Sequence, residues 1–127
     1  MAGEEVHEGL TVDPRSGHVL ESRIEQDCVV YAKRKGGEML KWTSPSNAGV
    51  PDRILILPGC PVVFVEFKQR NKQLEAKQAY WKERLTALGQ EVWGPMQSAW
   101  QFERAVDEWI EMWQSADVEE SVGADVG

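Results

Sequence analysis

Residues 52–68 read DRILILPGCPVVFVEFK, in which two apolar runs flank the turn-forming segment PGCP at residues 58–61. Both runs are rich in β-branched and aromatic residues, which favour strands, and the proline and glycine between them favour a tight connection. The pattern predicts an antiparallel hairpin. The start of its first strand then lies beside the end of its second strand, so we expect Asp52 and Glu66 to be close neighbours.

The second predicted strand ends in an acid and an amine. Side chains alternate across a strand, so Glu66 and Lys68 share a face and continue the alternation of the apolar Val62 and Phe64. Polar groups at the end of an otherwise apolar face are costly to bury and usually have a purpose. Taken singly, each residue also fits a turn aspartate or a solvated ion pair at a strand end.

Carboxylate oxygens suit Mg²⁺ or Mn²⁺, which commonly bind through one or two protein acids, several waters and a substrate phosphate. Asp52 and Glu66 are therefore candidate catalytic residues and metal ligands. Lys68 is the candidate for orienting a water nucleophile or holding a phosphate oxygen. The hairpin thus predicts metal-assisted hydrolysis of a phosphoester.

Helical spacing before the hairpin predicts a first helix that begins near residue 21 and ends before Gly36-Gly37. Glu25 lies on the border of its inward face and is a candidate third ligand, direct or through water; an acid favoured by the helix dipole is the alternative. A short strand, 38–43, and a loop, 44–49, follow. Lys41, Ser44 and Ser46 are candidate phosphate contacts, although loop propensity explains the serines equally well.

Three further elements are predicted after the hairpin: a helix over about 74–88, a strand over 90–93 and a final helix over about 97–113. Gln78 is the polar member of the apolar stripe on the first of these helices, so it is a candidate accessory residue at the site. Trp100, Trp109 and Trp113 on the last helix could pack on the sheet or form a dimer surface.

The length of 127 residues fits one domain, which we place at residues 21–114 between flexible acidic segments, 1–20 and 115–127. The net charge of −7 is unevenly distributed, because residues 22–93 hold twelve basic and eight acidic side chains. The basic core is compatible with a polyanionic partner. No apolar run suggests a membrane span or a secretory signal, so we expect a cytoplasmic protein of a bacterium or a phage-infected cell.

Several segments together resemble a known nuclease family. These segments are Glu21-Ser22-Arg23-Ile24-Glu25, Gly49-Val50-Pro51-Asp52-Arg53 and Glu66-Phe67-Lys68, with Gln78 to Trp81 downstream. In this order they are similar to the stand-alone VRR-NUC (virus-type replication-repair nuclease) domain of the PD-(D/E)xK superfamily. The resemblance covers about residues 21–93.

The resemblance implies an α/β, restriction-endonuclease-like core: a helix, a three-stranded antiparallel meander, a second helix and a further strand, with a C-terminal helix after it. It also implies a homodimer that needs Mg²⁺ or Mn²⁺ and hydrolyses phosphodiester bonds of DNA, often at four-way junctions or other branches, in replication and repair. We expect the backbone carbonyl of Phe67 to add a metal ligand and Gln78 to support the site.

Three other functions stay open at this point. The chain could be a catalytically silent DNA-binding or dimerisation module of the same fold. It could be a hydrolase of RNA or of small phosphoesters, or an interaction protein whose acids only form surface ion pairs. The combination of Asp52, Glu66 and Lys68 favours the DNA endonuclease over these alternatives.

Overall fold

The computed structural model describes the backbone of residues 11–126 and the side chains of residues 11–115. Within this range the chain forms an α/β fold of three helices and four strands. In chain order these are α1 (Glu21–Arg34), β1 (Glu38–Lys41), β2 (Arg53–Ile56), β3 (Val63–Phe67), α2 (Ala76–Ala87), β4 (Glu91–Met96) and α3 (Ala99–Val126). The predicted fold class and element order are confirmed.

The four strands form one sheet in the order β1-β2-β3-β4. Strands β1, β2 and β3 pair antiparallel, as the predicted meander requires, and β4 lies parallel to β3 because helix α2 carries the chain back to the same end. The β3–β4 register shifts between Val65 and Phe67, next to Gly94, whose peptide bond to Pro95 is cis.

One face of the sheet packs against α1 and α3 and forms the hydrophobic core. Val63, Val65 and Phe67 of β3 are fully buried there, in contact with residues of both helices. The core is completed by Ile24, Cys28, Ala32, Met39, Leu55, Leu57, Met96, Phe102 and Val106. Because β3 is buried on this face, it is a rigid support for the residues that alternate onto the other face.

The opposite face is only partly covered, with α2 packed over its β3–β4 side. The strand registers align Leu40, Ile54 and Phe64 in one row across this face. The ring of Phe64 packs against Trp42, with 5.2 Å between centroids. Further along, Leu40 and Ile56 are exposed, so part of this apolar face has no cover within the described residues.

Two predicted boundaries need correction. Strand β4 continues to Met96 instead of ending at Trp93, because its backbone follows β3 through the register shift. Helix α3 continues to Val126 instead of ending at Trp113, and the flexible acidic tail over residues 115–127 stays a prediction. No proline interrupts residues 97–126, so this helix contains no residue that lacks a backbone N–H.

The predicted flexible N-terminal segment falls partly outside the described residues, which begin at residue 11. Residues 11–20 form a turn closed by a bridge between Val12 and Val19. The buried Gln69 holds this turn, since its Nε2 donates to Asp13 Oδ2 at 2.9 Å. A long-range side-chain hydrogen bond of this kind has no local sequence signal.

Two of the three tryptophans of α3, Trp109 and Trp113, are half-buried. Trp109 packs edge-on against Trp93, with ring centroids 5.8 Å apart, and Trp113 packs against Trp109. Trp100 differs from these two, because 66% of its surface is exposed. Of the alternatives raised for these side chains, packing on the sheet accounts for Trp109, which meets Trp93 of β4, and Trp113 packs on Trp109. No helix in the described part of the chain is long and apolar enough to cross a membrane.

Candidate active site

Asp52 lies immediately before β2, where the β2–β3 register would next pair it with Glu66. Its Oδ2 accepts a hydrogen bond from the backbone N–H of Phe67 at 2.8 Å. Its carbonyl oxygen accepts from the N–H of Trp42 at 3.0 Å. Asp52 is therefore hydrogen-bonded on both sides, to the residue after β1 and to β3. The hairpin register brings Asp52 and Glu66 close together, as predicted from the sequence.

Glu66 is a buried acid, with 2% of its surface exposed. Its Oε1 accepts a hydrogen bond from Gln78 Nε2 at 3.3 Å. The oxygen of the Gln78 amide accepts from the N–H of Glu75 at 2.8 Å, as part of the capping box that begins helix α2. Since the cap fixes the amide oxygen, the NH₂ group of Gln78 is turned toward Glu66.

The environment of Glu66 disfavours its charged form. Burial is the main cause that raises its pKa to about 9, followed by a hydrogen bond and charge repulsion from Asp52; Lys68 acts in the opposite direction. Glu66 therefore favours its protonated form when no cation is present, and a bound cation reverses that preference. The pair is thus electrostatically suited to a positive ion.

Lys68 lies just beyond β3 and is buried, with 9% of its surface exposed. Its backbone N–H donates to the carbonyl oxygen of Met96 at 3.1 Å, which fixes the main chain at this point. The charge of Lys68 opposes the upward shifts in the pKa of both Glu66 and Glu21. The ammonium group therefore acts electrostatically on the acids of this site.

The first helix presents two acids with different surroundings. Glu25 Oε2 pairs with Arg53 Nε at 2.5 Å, and Arg53 also donates to the carbonyl oxygen of Met39 at 3.1 Å. The pKa of Glu21 is raised, first by burial and next by the charge of Asp52. Glu21 is thus electrostatically coupled to the acid pair, while Glu25 is engaged in an ion pair.

Glu21 belongs to a segment that resembles the nuclease family, but it is not among the ligands predicted from sequence. Its inward position could have been predicted, because Glu21 precedes Ile24 by three residues and Cys28 by seven and so continues the buried stripe of α1. Glu25 lies beside that stripe, where Arg53 meets it. The missing information was the position of Arg53, which only the folded hairpin reveals.

Lys41 and the two serines lie at the periphery. The register pairs Lys41 with Arg53, so its side chain leaves the sheet on the α1 side and is exposed. Ser44 Oγ accepts from Asn47 Nδ2 at 3.1 Å inside the loop, and Ser46 is exposed. The structure brings none of the three into hydrogen-bond contact with Asp52 or Glu66 among its described side chains.

Gly94 is a further residue of the site that sequence reasoning missed. A Cβ atom at this position would lie 2.7 Å from the Cβ of Glu66 and 2.8 Å from its carbonyl oxygen. Its φ of 153° also lies in a region that other residues rarely adopt. The carbonyl oxygen of Gly94 accepts from Lys82 Nζ at 2.5 Å. This glycine therefore lets β4 approach the backbone of the catalytic candidate.

The donor set fits a sparsely ligated hard cation. Among the described side chains, no group of three or more His, Cys, Asp or Glu residues is arranged to hold a metal ion. Asp52 and Glu66 alone offer two carboxylates, which is the number through which Mg²⁺ is commonly bound together with waters and substrate phosphates. The buried, raised-pKa carboxyl of Glu66 is consistent with such an ion.

The site has the arrangement of a PD-(D/E)xK-type nuclease. One acid lies just before a strand of the sheet, and an acid and a lysine lie at the end of the next strand.

No protein-family model matches the chain. A relative from Acyrthosiphon pisum secondary endosymbiont phage 1, named "Putative nuclease p44", is 36% identical over 74 residues, which are 58% of this chain and 80% of the relative.

A solved structure described as a VRR_NUC domain superposes with a TM-score of 0.64 at 26% identity. The superposition covers 70% of this chain and 96% of that one. Together with the phage relative, it shows that this chain belongs to the VRR-NUC nuclease family. The resemblance stated from sequence is confirmed.

Proposed function

We propose that this protein is a metal-dependent DNA endonuclease that hydrolyses phosphodiester bonds during phage or bacterial replication and repair. The observation that carries the proposal is the joining of Asp52 to β3 between Glu66 and Lys68, through the hydrogen bond to the N–H of Phe67. A buried carboxyl group beside a half-buried one and a buried lysine is costly to maintain for structure alone.

Asp52, Glu66 and the backbone carbonyl of Phe67 are the groups proposed to hold Mg²⁺ or Mn²⁺. Glu21 supports this set from α1, in place of or together with Glu25, whose carboxylate is paired with Arg53. When bound, the ion would lower the pKa of a water and offset charge on the phosphoryl oxygens. The residues present fit this role because they supply only oxygen donors.

The chain's own residues supply positioning and charge. Lys68 is proposed to hold the attacking water or a non-bridging phosphate oxygen, since its ammonium group has three donors and no acceptor. Gln78 keeps one oxygen of Glu66 engaged and leaves the other for the ion. Burial of Glu66 and Lys68 limits solvent and strengthens their electrostatic effect.

The proposed substrate is branched DNA, including four-way junctions, and the proposed assembly is a homodimer. Both rest on the family. The exposed apolar part of the sheet, with Leu40, Ile56 and Val62, supports a contact between copies because exposed apolar patches mark interaction sites. Two-fold symmetry would present two active sites to one branched substrate.

Cleavage assays test the proposal. Purified protein is incubated with plasmid, single strands, flaps and four-way junctions in Mg²⁺, Mn²⁺ or EDTA. We expect metal-dependent cutting, fastest on branched DNA, and near-complete loss in the variants Asp52→Ala and Lys68→Ala. Trp100→Ala is the control, because this exposed side chain lies on α3. Wild-type protein that binds but never cuts would instead favour the catalytically silent module.

A further inference from the structure

A recess of about 390 Å³ lies between the loop 44–50 and the first turns of helix α2. It is lined by Ser46, Ala48, Ala76, Lys77, Tyr80 and Trp81. The acid pair does not line it, so the recess is distinct from the proposed catalytic centre. Its walls nevertheless come from the two segments that lead directly to that centre.

Close packing fixes the loop wall of the recess. Gly49 has a φ of 92°, and a Cβ atom there would lie 2.7 Å from the Cβ and carbonyl carbon of Lys77. The loop is therefore pressed against the backbone of α2. At its base, the hydrogen bond from the N–H of Trp42 to the carbonyl oxygen of Asp52 closes the loop. The recess is consequently built by the fold.

Both walls of the recess belong to segments that continue to the acid pair. On the helix wall, Gln78 follows Lys77 and donates to Glu66 at 3.3 Å. On the loop wall, the chain passes from Ala48 to Asp52 in four residues. A nucleotide whose phosphate lies against the acid pair would therefore have this recess within reach of an adjacent base.

The chemistry of the lining matches a flat, apolar ring attached to an anion. Tyr80 keeps 57% of its surface exposed, and its ring meets Trp81 edge-on with centroids 5.3 Å apart. Stacking on a flat ring removes the apolar surface of an exposed aromatic side chain from water, which is favourable, and every nucleobase has a face that can stack in this way. Lys77 adds a positive charge for the attached phosphate.

We propose that this recess binds one unpaired nucleobase of the DNA strand next to the bond that is cut. The proposal rests on the DNA endonuclease function above and narrows it to substrates with an unpaired nucleotide beside the scissile phosphate. A base inside an intact duplex is stacked on its neighbours and would have to be flipped out, at a cost of a few kcal/mol. Flaps and junctions provide such a base without this cost.

Binding measurements with the full chain in EDTA test the proposal without cleavage. The probe is a flap oligonucleotide with 2-aminopurine as its unpaired base at the branch point, compared with the same probe lacking that base and with plain duplex. We expect the fluorescence of 2-aminopurine to fall on binding to wild-type protein and to Tyr80→Phe. Tyr80→Ala should abolish the change and weaken flap binding about fivefold or more, with duplex binding unchanged.

Two controls keep the result interpretable. Trp100→Ala removes another exposed aromatic ring, outside the recess, and should bind all probes like wild type. In a double-mutant cycle, removal of the unpaired base should cost wild-type protein about fivefold and Tyr80→Ala nothing. An equal cost in both proteins overturns the proposal.

The outcome separates this inference from the proposed function. Base-dependent flap binding by a wild-type protein that cuts no substrate would contradict the endonuclease function and leave the recess assigned. Suppose instead that wild type and Tyr80→Ala both cut in a metal-dependent way, with the same preference for flap over duplex. That result would support the endonuclease function and contradict base binding in the recess. Thermal melts verify that Tyr80→Ala, a change at an exposed site, remains folded.

Discussion

The two faces of strand β3 differ in what they contribute. Val63, Val65 and Phe67 on one face are fully buried against helices and have no polar groups in their side chains. Glu66 on the other face is equally buried, but its pKa is raised to about 9 because burial and Asp52 oppose its charge. One face stabilises the fold, and the other face disfavours the charged form of Glu66, which a bound cation would favour.

Glu66→Gln should have the largest effect on cleavage and little effect on folding. Glutamine resembles the protonated carboxyl that the site favours, so we expect an unchanged or higher melting temperature without metal. It cannot supply a carboxylate, so cleavage should fall to background. Thermal melts and plasmid cleavage measure the two properties, and a variant that cuts like wild type would remove Glu66 from the catalytic set.

Phe67→Ala, one residue further on, should show the reverse pattern. The side chain is fully buried and packs near Phe102, with ring centroids 6.4 Å apart. Its removal should lower the free energy of unfolding by about 3–5 kcal/mol through lost burial and a cavity. Urea unfolding measures the loss. A change below about 1 kcal/mol would contradict the assignment of this face to the core.

The two acids of α1 should also differ, one affecting mainly cleavage and the other mainly stability. Glu21→Gln should reduce cleavage roughly tenfold at low metal concentration with little loss of stability, because Glu21 is coupled to Asp52. Glu25→Gln should lower the free energy of unfolding by about 1.5–3 kcal/mol, because it weakens a part-buried bond to the charged Arg53. Metal titrations of the cleavage rate and urea unfolding of both variants decide; exchanged phenotypes would make Glu25 the supporting acid.

The raised pKa of Glu66 also predicts a pH dependence of stability. Between its ordinary pKa of 4.5 and about 9, the folded protein keeps a proton that the unfolded chain has released. The contribution of Glu66 to the free energy of unfolding should therefore fall as pH rises through this window in EDTA. Melting temperatures of wild type and Glu66→Gln across the window measure it, and equal pH profiles would contradict the shift.

The smallest effect is expected at the periphery. Lys41→Ala removes an exposed cation that the register places on the α1 side of the sheet. If Lys41 contacts a phosphate, its removal should weaken DNA binding about two- to threefold on all sequences. The slope of the logarithm of the binding constant against the logarithm of the salt concentration should then decrease by about 1. Binding measured at several salt concentrations tests this, with Lys33→Ala on α1 as a matched exposed control. An unchanged salt slope would exclude Lys41 from the DNA contact.

The hairpin and its acids could be predicted because their information is local. Alternating residues, a proline–glycine turn and Glu66 two positions from Lys68 are all read within residues 52–68. The register then follows from the turn, and with it the meeting of Asp52 and Glu66. The parallel pairing of the fourth strand is also accessible from sequence, since a helix between two strands is the usual crossover between parallel neighbours.

The features missed from sequence depend on contacts between distant segments. Glu25 stays a predicted ligand, but its ion pair with Arg53, 28 residues further along the chain, is a contact that sequence reasoning could not supply. The close approach of Gly94 to Glu66 depends on a register shift that no local pattern encodes. The roles proposed for Lys68 and the Phe67 carbonyl remain predictions.

Calorimetric titration of the intact protein with Mn²⁺ or Mg²⁺, repeated in two buffers of different ionisation enthalpy at neutral pH, tests the central claim most directly. If Asp52 and Glu66 hold the ion together, uptake should release close to one proton, because Glu66 must ionise. Glu66→Gln should lose both the uptake and the proton. Absence of metal uptake even with oligonucleotide present, or uptake that Glu66→Gln leaves unchanged, would contradict the account.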